Sequence, residues 1–409
     1  MTHATQTAQT TPGALAGLRV IDLSRVLGGP FCTQMLADHG AQVIKVEPPQ
    51  GDETRDWGPP FLDGAASYFL GVNRNKQGVA LDLSLPEGRE LLLRLLADAD
   101  VLVENFKPGT LERWGIGYED FLRERFPRLV HCRVSGFGAD GPLGGLPGYD
   151  AVAQAMTGLM SVNGERGGAP LRMGIPVIDI ATGLHAVIGI LMALRERELS
   201  GRGQSVEATL FDTGVSLMHP HLPNHFLSGR VAGRSGNAHP NICPYDAFAT
   251  RSCGVFIAVG NDGQFRRLVA LLGRAELADD PRFAHNSERL ANAAALKAEL
   301  EALLATRDGE AIAQELMRAG VPCGPVLDVG GVRAHPHALH RERFVEAGGQ
   351  MGVASAVSLS RTPASYRTAA PAFGAHSLEV LRAAGLGEAE LAEATRAGAI
   401  PHARSSFAN

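Results

Sequence analysis

The chain has 409 residues, 45% apolar and 20% charged, enough for two or three domains of roughly 150 residues each and too apolar for disorder. Its 38 basic and 43 acidic residues give a net charge of −5, which argues against a general nucleic-acid or anionic-membrane binder. Five cysteines (Cys32, Cys132, Cys243, Cys253, Cys323), odd in number and without a CxxC pair, read as reduced thiols of a cytoplasmic protein.

Met1 to Gly13 is Thr- and Ala-rich, with neither a basic start nor an apolar run, so no signal peptide is expected there. Leu18 to Leu23 reads as a buried strand, and Leu27-Gly28-Gly29-Pro30 as the turn into a helix over Phe31 to His39, with Pro30 suited to the first helical position. Gly40 can close that helix, and Val43 to Val46 is the next strand, completing a βαβ unit. Leu81 and Leu83, the leucine-rich helix over Leu91–Leu96 and the strand Val101–Val103 repeat the pattern, and Leu129 to Val134 adds another strand. Short apolar strands alternating with helices imply a parallel α/β sheet covered by helices on both faces. The most apolar tract, Ile178 to Leu194, carries Asp179 and His185 and ends in charged Arg195–Arg197; it reads as too short and too polar for a membrane span. Ser205 to Leu210 alternates apolar and polar residues, and His219 to Pro240, rich in His, Pro, Gly and Asn, looks like a linker. Val255 to Val259, the helix carrying Phe265, Leu268 and Leu272, and alanine-rich helices around Ala295–Ala305 and Glu310–Ala319 make a smaller α+β region, which Val321–Val326 punctuates. Ser377 to Ala397 is helical with turn breaks.

Chemistry concentrates in three places. The first βα turn, Arg25-Val26-Leu27-Gly28-Gly29-Pro30, lets a ligand approach the backbone, and Glu47 stands where a dinucleotide fold puts its ribose-binding carboxylate. The GxGxxG pattern is absent, so the stretch reads either as a plain tight strand–helix turn or as a site for a nucleotide-containing ligand, with NAD not favoured. Asn105, Phe106, Lys107 and Arg113 follow a strand directly; cations beside an aromatic ring suit an adenine carrying phosphates, although solvated loop charges are the commoner role for such residues. Asp179 opens an apolar helix, either as its N-cap or as a carboxylate nucleophile shielded from water. His219, His221 and His225 lack further ligands, so no metal is expected, and neither a GxSxG nor a P-loop occurs.

Several motifs in order then carry a resemblance: Gly17–Leu23, Asn73-Arg74-Asn75-Lys76, Val103–Phe106, Gly201-Arg202-Gly203-Gln204 and Val321–Val326. From about Leu15 to Leu386 the chain resembles the family III coenzyme A transferases, with α-methylacyl-CoA racemase as a relative. The resemblance implies a Rossmann-like large domain (14–200), a linker (201–240), a small α+β domain (241–325) and a C-terminal return to the large domain (326–400), in an interlocked homodimer. It implies coenzyme A as the thioester substrate and no metal, with CoA moving from an acyl-CoA donor such as succinyl-CoA to a small carboxylic or dicarboxylic acid. Asp179, followed by Gly183-Leu184-His185, matches the family's nucleophile, which forms an aspartyl anhydride and then an aspartyl-CoA thioester. Val26, Leu27 and Gly28 match the adenine end; Asn105, Phe106, Lys107 and Arg113 match the remaining CoA contacts. Tyr149 would face the acyl group, and His239 or Asn241 the acid. Two rivals stay open. One is an acyl-CoA racemase, for which Tyr149 and Asp262 stand in the base positions. The other is a CoA-binding protein in which Asp179 only caps its helix.

Overall fold

The computed structural model describes residues 12–401; the leading residues 1–11, on which most of the signal-peptide reading rests, lie outside the described residues, as do 402–409. The chain divides into two compact units. The larger takes the described residues through Gly158, Met173–His219 and those from His340 onward; the smaller takes Leu159–Arg172 and Pro220–Leu339.

In the larger unit a six-stranded parallel sheet is built from β1 (Arg19–Asp22), β2 (Gln42–Glu47), β3 (Lys76–Ala80), β4 (Val101–Glu104), β5 (Val130–Ser135) and β6 (Ser205–Thr209), in the order β3-β2-β1-β4-β5-β6. Val20 of β1 lies between Val43 of β2 and Val101 of β4, the point where the strand order reverses and where open α/β sheets leave a crevice at their carboxyl ends. The central strands are buried almost without interruption, as the near-continuous apolar runs of a sheet covered on both faces require. On one face, α2 (Pro86–Leu96) packs Leu91, Leu92, Leu95 and Leu96 with Ile21, Ile44, Val79 and Leu102. α1 (Gly28–Asp38) lies along α4 (Val177–Ser200), which also packs on β5 and β6; α3 (Asp150–Met156) and α5 (Leu210–Ser216) border α4. Gly40, at φ 109°, turns the chain out of α1 where a side chain would be strained.

The smaller unit has an antiparallel sheet, β9-β8-β7, from β7 (Tyr245–Ala249), β8 (Gly254–Ala258) and β9 (Cys323–Pro325). Its core gathers Phe248, Val255 and Ile257 with Phe265 and Leu268 of α7 (Asp262–Leu271), Leu300 of α8 (Ala293–Leu304) and Leu316 of α9 (Gly309–Arg318).

Several expectations need correction. Lys76–Ala80, not Leu81 and Leu83, forms the edge strand; its polar start hides it because the Lys76 ammonium is buried by pairing with Asp22. α1 begins at Gly28, which puts Pro30 at its third position, still among the N–H groups without an intrahelical acceptor. The supposed linker contains β6, α5 and a further helix, α6 (His221–Ser228), and the Val321–Val326 punctuation contains β9, hydrogen-bonded to β8. α4 runs 24 residues and is long and apolar enough to cross a bilayer by length and composition, contrary to the reading of its core as too short. Ile178, Thr182, Ala186, Ile190 and Ala193 nevertheless make a buried face along it.

Candidate active site

Asp179 is the third residue of α4 and does not cap it. The capping comes from Asp150 at the start of α3, whose Oδ1 accepts the N–H groups of Ile178 (2.8 Å) and Asp179 (3.1 Å). Gln154, one turn on, donates to the other Asp150 oxygen (2.6 Å) and accepts from the Met173 N–H (2.8 Å). With the helix end already served, the Asp179 carboxylate is left for other work. Burial, and after it the Asp150 charge, raise its pKa from 3.8 to about 7. The positive end of the helix favours the charged form, and these two effects outweigh it.

The other wall is set by glycines. A Cβ on Gly28 would stand 3.3 Å from the Asp179 carbonyl oxygen and 4.0 Å from its Oδ1, and one on Gly183 would strike the Gly28 carbonyl oxygen at 2.6 Å. The N-terminal turns of α1 and α4 therefore meet backbone to backbone, with Gly28 beside the carboxylate. α1 has no side-chain cap, so the first-turn N–H groups of Gly28 and Gly29 have no partner within the helix.

Around this pair opens a cleft of about 260 Å³ at the carboxyl edge of the sheet. Val26, Leu27, Gly28, Asn105, Phe106, Lys107, Tyr149 and Asp179, eight of the residues singled out in the sequence, line it. Tyr149 is exposed, its ring free to meet a ligand. Phe106 is set by Glu104, whose Oε2 accepts its N–H (2.7 Å), and its ring meets Trp114 edge-on at 5.4 Å. Val26 holds φ at 69°, a left-handed conformation that costs a β-branched residue on the order of 1–3 kcal/mol and commonly marks functional turns.

Three sequence readings change here. Asn105 lines the cleft, but its amide is spent on the Arg25 backbone, accepting the N–H (2.9 Å) and donating to the carbonyl (2.7 Å), so its polar role is to pin the βα turn. Arg113 is exposed, donates to Thr110 (2.9 Å) and is not part of the lining. Glu47 is fully buried, its carboxylate accepting from Arg55 (2.8 and 2.6 Å) and from the Asp52 N–H (2.9 Å), which leaves nothing for a ribose.

Arg25 and Tyr68 were not singled out. Arg25 lines both the cleft and an adjoining hollow of about 310 Å³, walled by Pro48, Leu83, Phe106 and Trp114 among others. Its Nε is buried without a hydrogen-bond partner among the described residues, an unmet donor suited to an anionic ligand. The half-buried Tyr68 feels Asp179 and Asp150: burial, then those two charges, push its hydroxyl pKa up. A lone arginine in the turn was the available signal for the first; nothing local in the sequence marks the second.

His239 and Asn241 belong to the smaller unit. His239 lines a cavity of about 770 Å³ with Tyr245 and Lys297; burial, then neighbouring His221, hold its pKa down, so the ring is neutral near pH 7. Asn241 does not line that cavity, and its side chain bonds the Asn224 amide (2.9 Å). Asp262 is held by Arg289 (2.7 Å) and His285 (3.1 Å), which keep its carboxyl below the usual range and make it a weak base.

A cleft at the carboxyl edge of a parallel sheet, closed around a carboxylate, can now be set beside known proteins. The chain is 41% identical over 383 residues to the succinate–glutarate CoA-transferase of Agrobacterium fabrum, covering 90% of this chain and 94% of that one. It is 36% identical over 378 residues to the human succinyl-CoA:glutarate CoA-transferase, covering 90% and 85%. A CaiB/BaiF family protein from Brucella suis has the same fold, with a TM-score of 0.83 and 41% identity over 91% of this chain and 100% of that one. The protein is an enzyme of the CoA-transferase class, acting on CoA thioesters and carboxylic acids. Residues 15–377 match CoA-transferase family III, and the chain belongs to that family.

Proposed function

We propose that this enzyme moves CoA from succinyl-CoA to a small dicarboxylic acid through covalent intermediates on Asp179. The observation that carries this reading is the Asp179 carboxylate itself, relieved of capping by Asp150 and set in the cleft against Gly28. The names of the relatives support the choice of acids.

An Asp179 oxygen attacks the thioester carbonyl carbon, the carbon–sulfur bond breaks, and CoA leaves as thiolate with the bonding pair. The thiolate then attacks the Asp179 carbonyl carbon of the mixed anhydride, expelling succinate and leaving an aspartyl-CoA thioester. The acceptor carboxylate displaces CoA from that thioester, and the thiolate attacks the acceptor's carbonyl in turn, releasing the new acyl-CoA and the free Asp179 carboxylate. Protons balance without a general acid, because carboxylate and thiolate alternate as nucleophile and leaving group. The N–H groups of Gly28 and Gly29 are the oxyanion donors this reading assigns. Gly28, touching Asp179, belongs at the reacting end of CoA rather than the adenine end. The hollow walled by Trp114 and Phe106 takes the adenine, with Arg25 and Lys107 toward the phosphates.

The same reading includes an interlocked homodimer in a cytoplasmic, reducing setting. Leu184, Ile188, Leu191 and Met192, spaced along one face of α4, are 39%, 48%, 39% and 68% exposed, an apolar stripe a second chain would cover. The five cysteines are all unbonded. The direct test is transfer from succinyl-CoA to glutarate by the wild-type chain and by Asp179→Ala. Activity is expected to fall at least about a thousandfold in the variant; a variant that transfers at the wild-type rate overturns the proposal.

A further inference from the structure

The Asn73–Lys76 run lines no part of the cleft, yet it holds both ends of α1. Arg74 forks onto Asp38, the last residue of α1, at 2.9 and 2.6 Å, and the Asn75 amide joins it at 2.8 Å. At the other end the Lys76 ammonium donates to the Pro30 carbonyl in the first turn (2.9 Å), to Asp22 Oδ2 (3.1 Å) and to Asn73 Oδ1 (2.8 Å). Asp22, closing β1, accepts in turn from the Ser24 N–H (3.0 Å) and from Thr33 of α1 (2.6 Å). Lys45 of β2 adds a bond to the Ser24 carbonyl (2.8 Å) and pairs with Asp52 (3.0 Å), which also accepts the Val26 N–H (3.4 Å). The side chains of Asp22, Lys45, Asp52 and Lys76 are wholly buried. Buried charges are costly unless paired, so this concentration under a single turn calls for a purpose.

We propose that Lys76 is a positioning residue for the transfer reaction, seating the Gly28 end of α1 against Asp179. An ammonium has three donors, and Lys76 has three acceptors; a neutral amine has two N–H groups and must release one of them. The turn leading into the helix end it braces carries the unfavourable left-handed Val26 and depends on its surroundings to stay in place. A shift of about 1 Å between reacting groups costs on the order of a hundredfold in rate. The charged and titratable groups facing Lys76 are Asp22 of β1, Lys45 of β2, Asp52 after β2 and Cys32 of α1. Burial above all brings its pKa down to about 8, with Asp22 opposing that fall and Lys45 adding to it.

This inference rests on the CoA-transfer reading of the cleft, and the two fail differently. In the full-length chain, Lys76→Met is expected to lower kcat about tenfold or more while the KM for acyl-CoA stays within about threefold. A folded variant with wild-type kcat overturns the inference. A second measurement needs no variant: wild-type kcat should fall as pH rises through about 8 while the circular dichroism spectrum holds. A kcat that stays flat from about pH 8 to 10 overturns the inference even where Lys76→Met does not fold. A wild-type chain with no transfer activity removes the reading on which both rest.

Discussion

Asp150 and Asp179 share one helix end, and the proposed chemistry turns on the division between them. Asp150 takes the backbone N–H groups, and its charge helps to keep the Asp179 proton on until about pH 7. In the proposed mechanism the attacking form is the carboxylate, so activity should drop as pH falls through about 7. Asp150→Asn keeps an oxygen to accept the two N–H groups and removes the charge, so the acid limb of kcat/KM should move down by on the order of one unit. A limb that stays in place would mean that burial alone perturbs Asp179. The sequence reveals Asp179, because an acid entering an apolar helix stands out. Asp150 stays hidden, since its partners are backbone groups 28 and 29 residues further along the chain. Asn105 is visible by position but misread in role, because an amide facing a cleft and an amide pinning a turn look the same in sequence.

At the scale of elements, the site is a crossing of two helix N-termini made possible by missing side chains. A Cβ on Gly29 would come within 2.3 Å of Ser24 Cβ, and one on Gly183 within 2.6 Å of the Gly28 carbonyl oxygen. Gly29→Ala and Gly183→Ala should each lower stability by about 1–3 kcal/mol in urea unfolding, because a methyl group must push α1 off Ser24 in the first and part α1 from α4 in the second. A Cβ on Gly28 comes no nearer than 3.3 Å to anything, the Asp179 carbonyl oxygen, so Gly28→Ala should cost less stability, its damage falling on rate. An unaltered urea midpoint in Gly183→Ala would show that the crossing yields easily, and one in Gly29→Ala that the turn at Ser24 does. Strand–helix alternation made the parallel sheet legible. The buried Lys76 concealed the start of β3, since a charged residue normally marks a strand's exposed end. The short β9 escaped because its Cys323-Gly324-Pro325 looks like a turn and becomes a strand only by pairing with β8.

For the whole molecule, the proposed assembly turns on α4. Its stripe of Leu184, Ile188, Leu191 and Met192 suits the proposed dimer better than solvent, and such a dimer would explain why a helix of membrane-like composition belongs to this enzyme. Met192→Glu, placed on the most exposed of the four, should shift the chain toward monomer in sedimentation and lower its activity with it. A wild-type chain that sediments as a monomer would contradict the assembly while leaving the Asp179 chemistry standing. That chemistry is tested most directly by trapping. The wild-type chain is incubated with succinyl-CoA and hydroxylamine, digested, and the peptide carrying Asp179 is weighed by mass spectrometry. A hydroxamate on Asp179 that forms only when thioester is present is the expected product; an unmodified peptide during active turnover would contradict the covalent route.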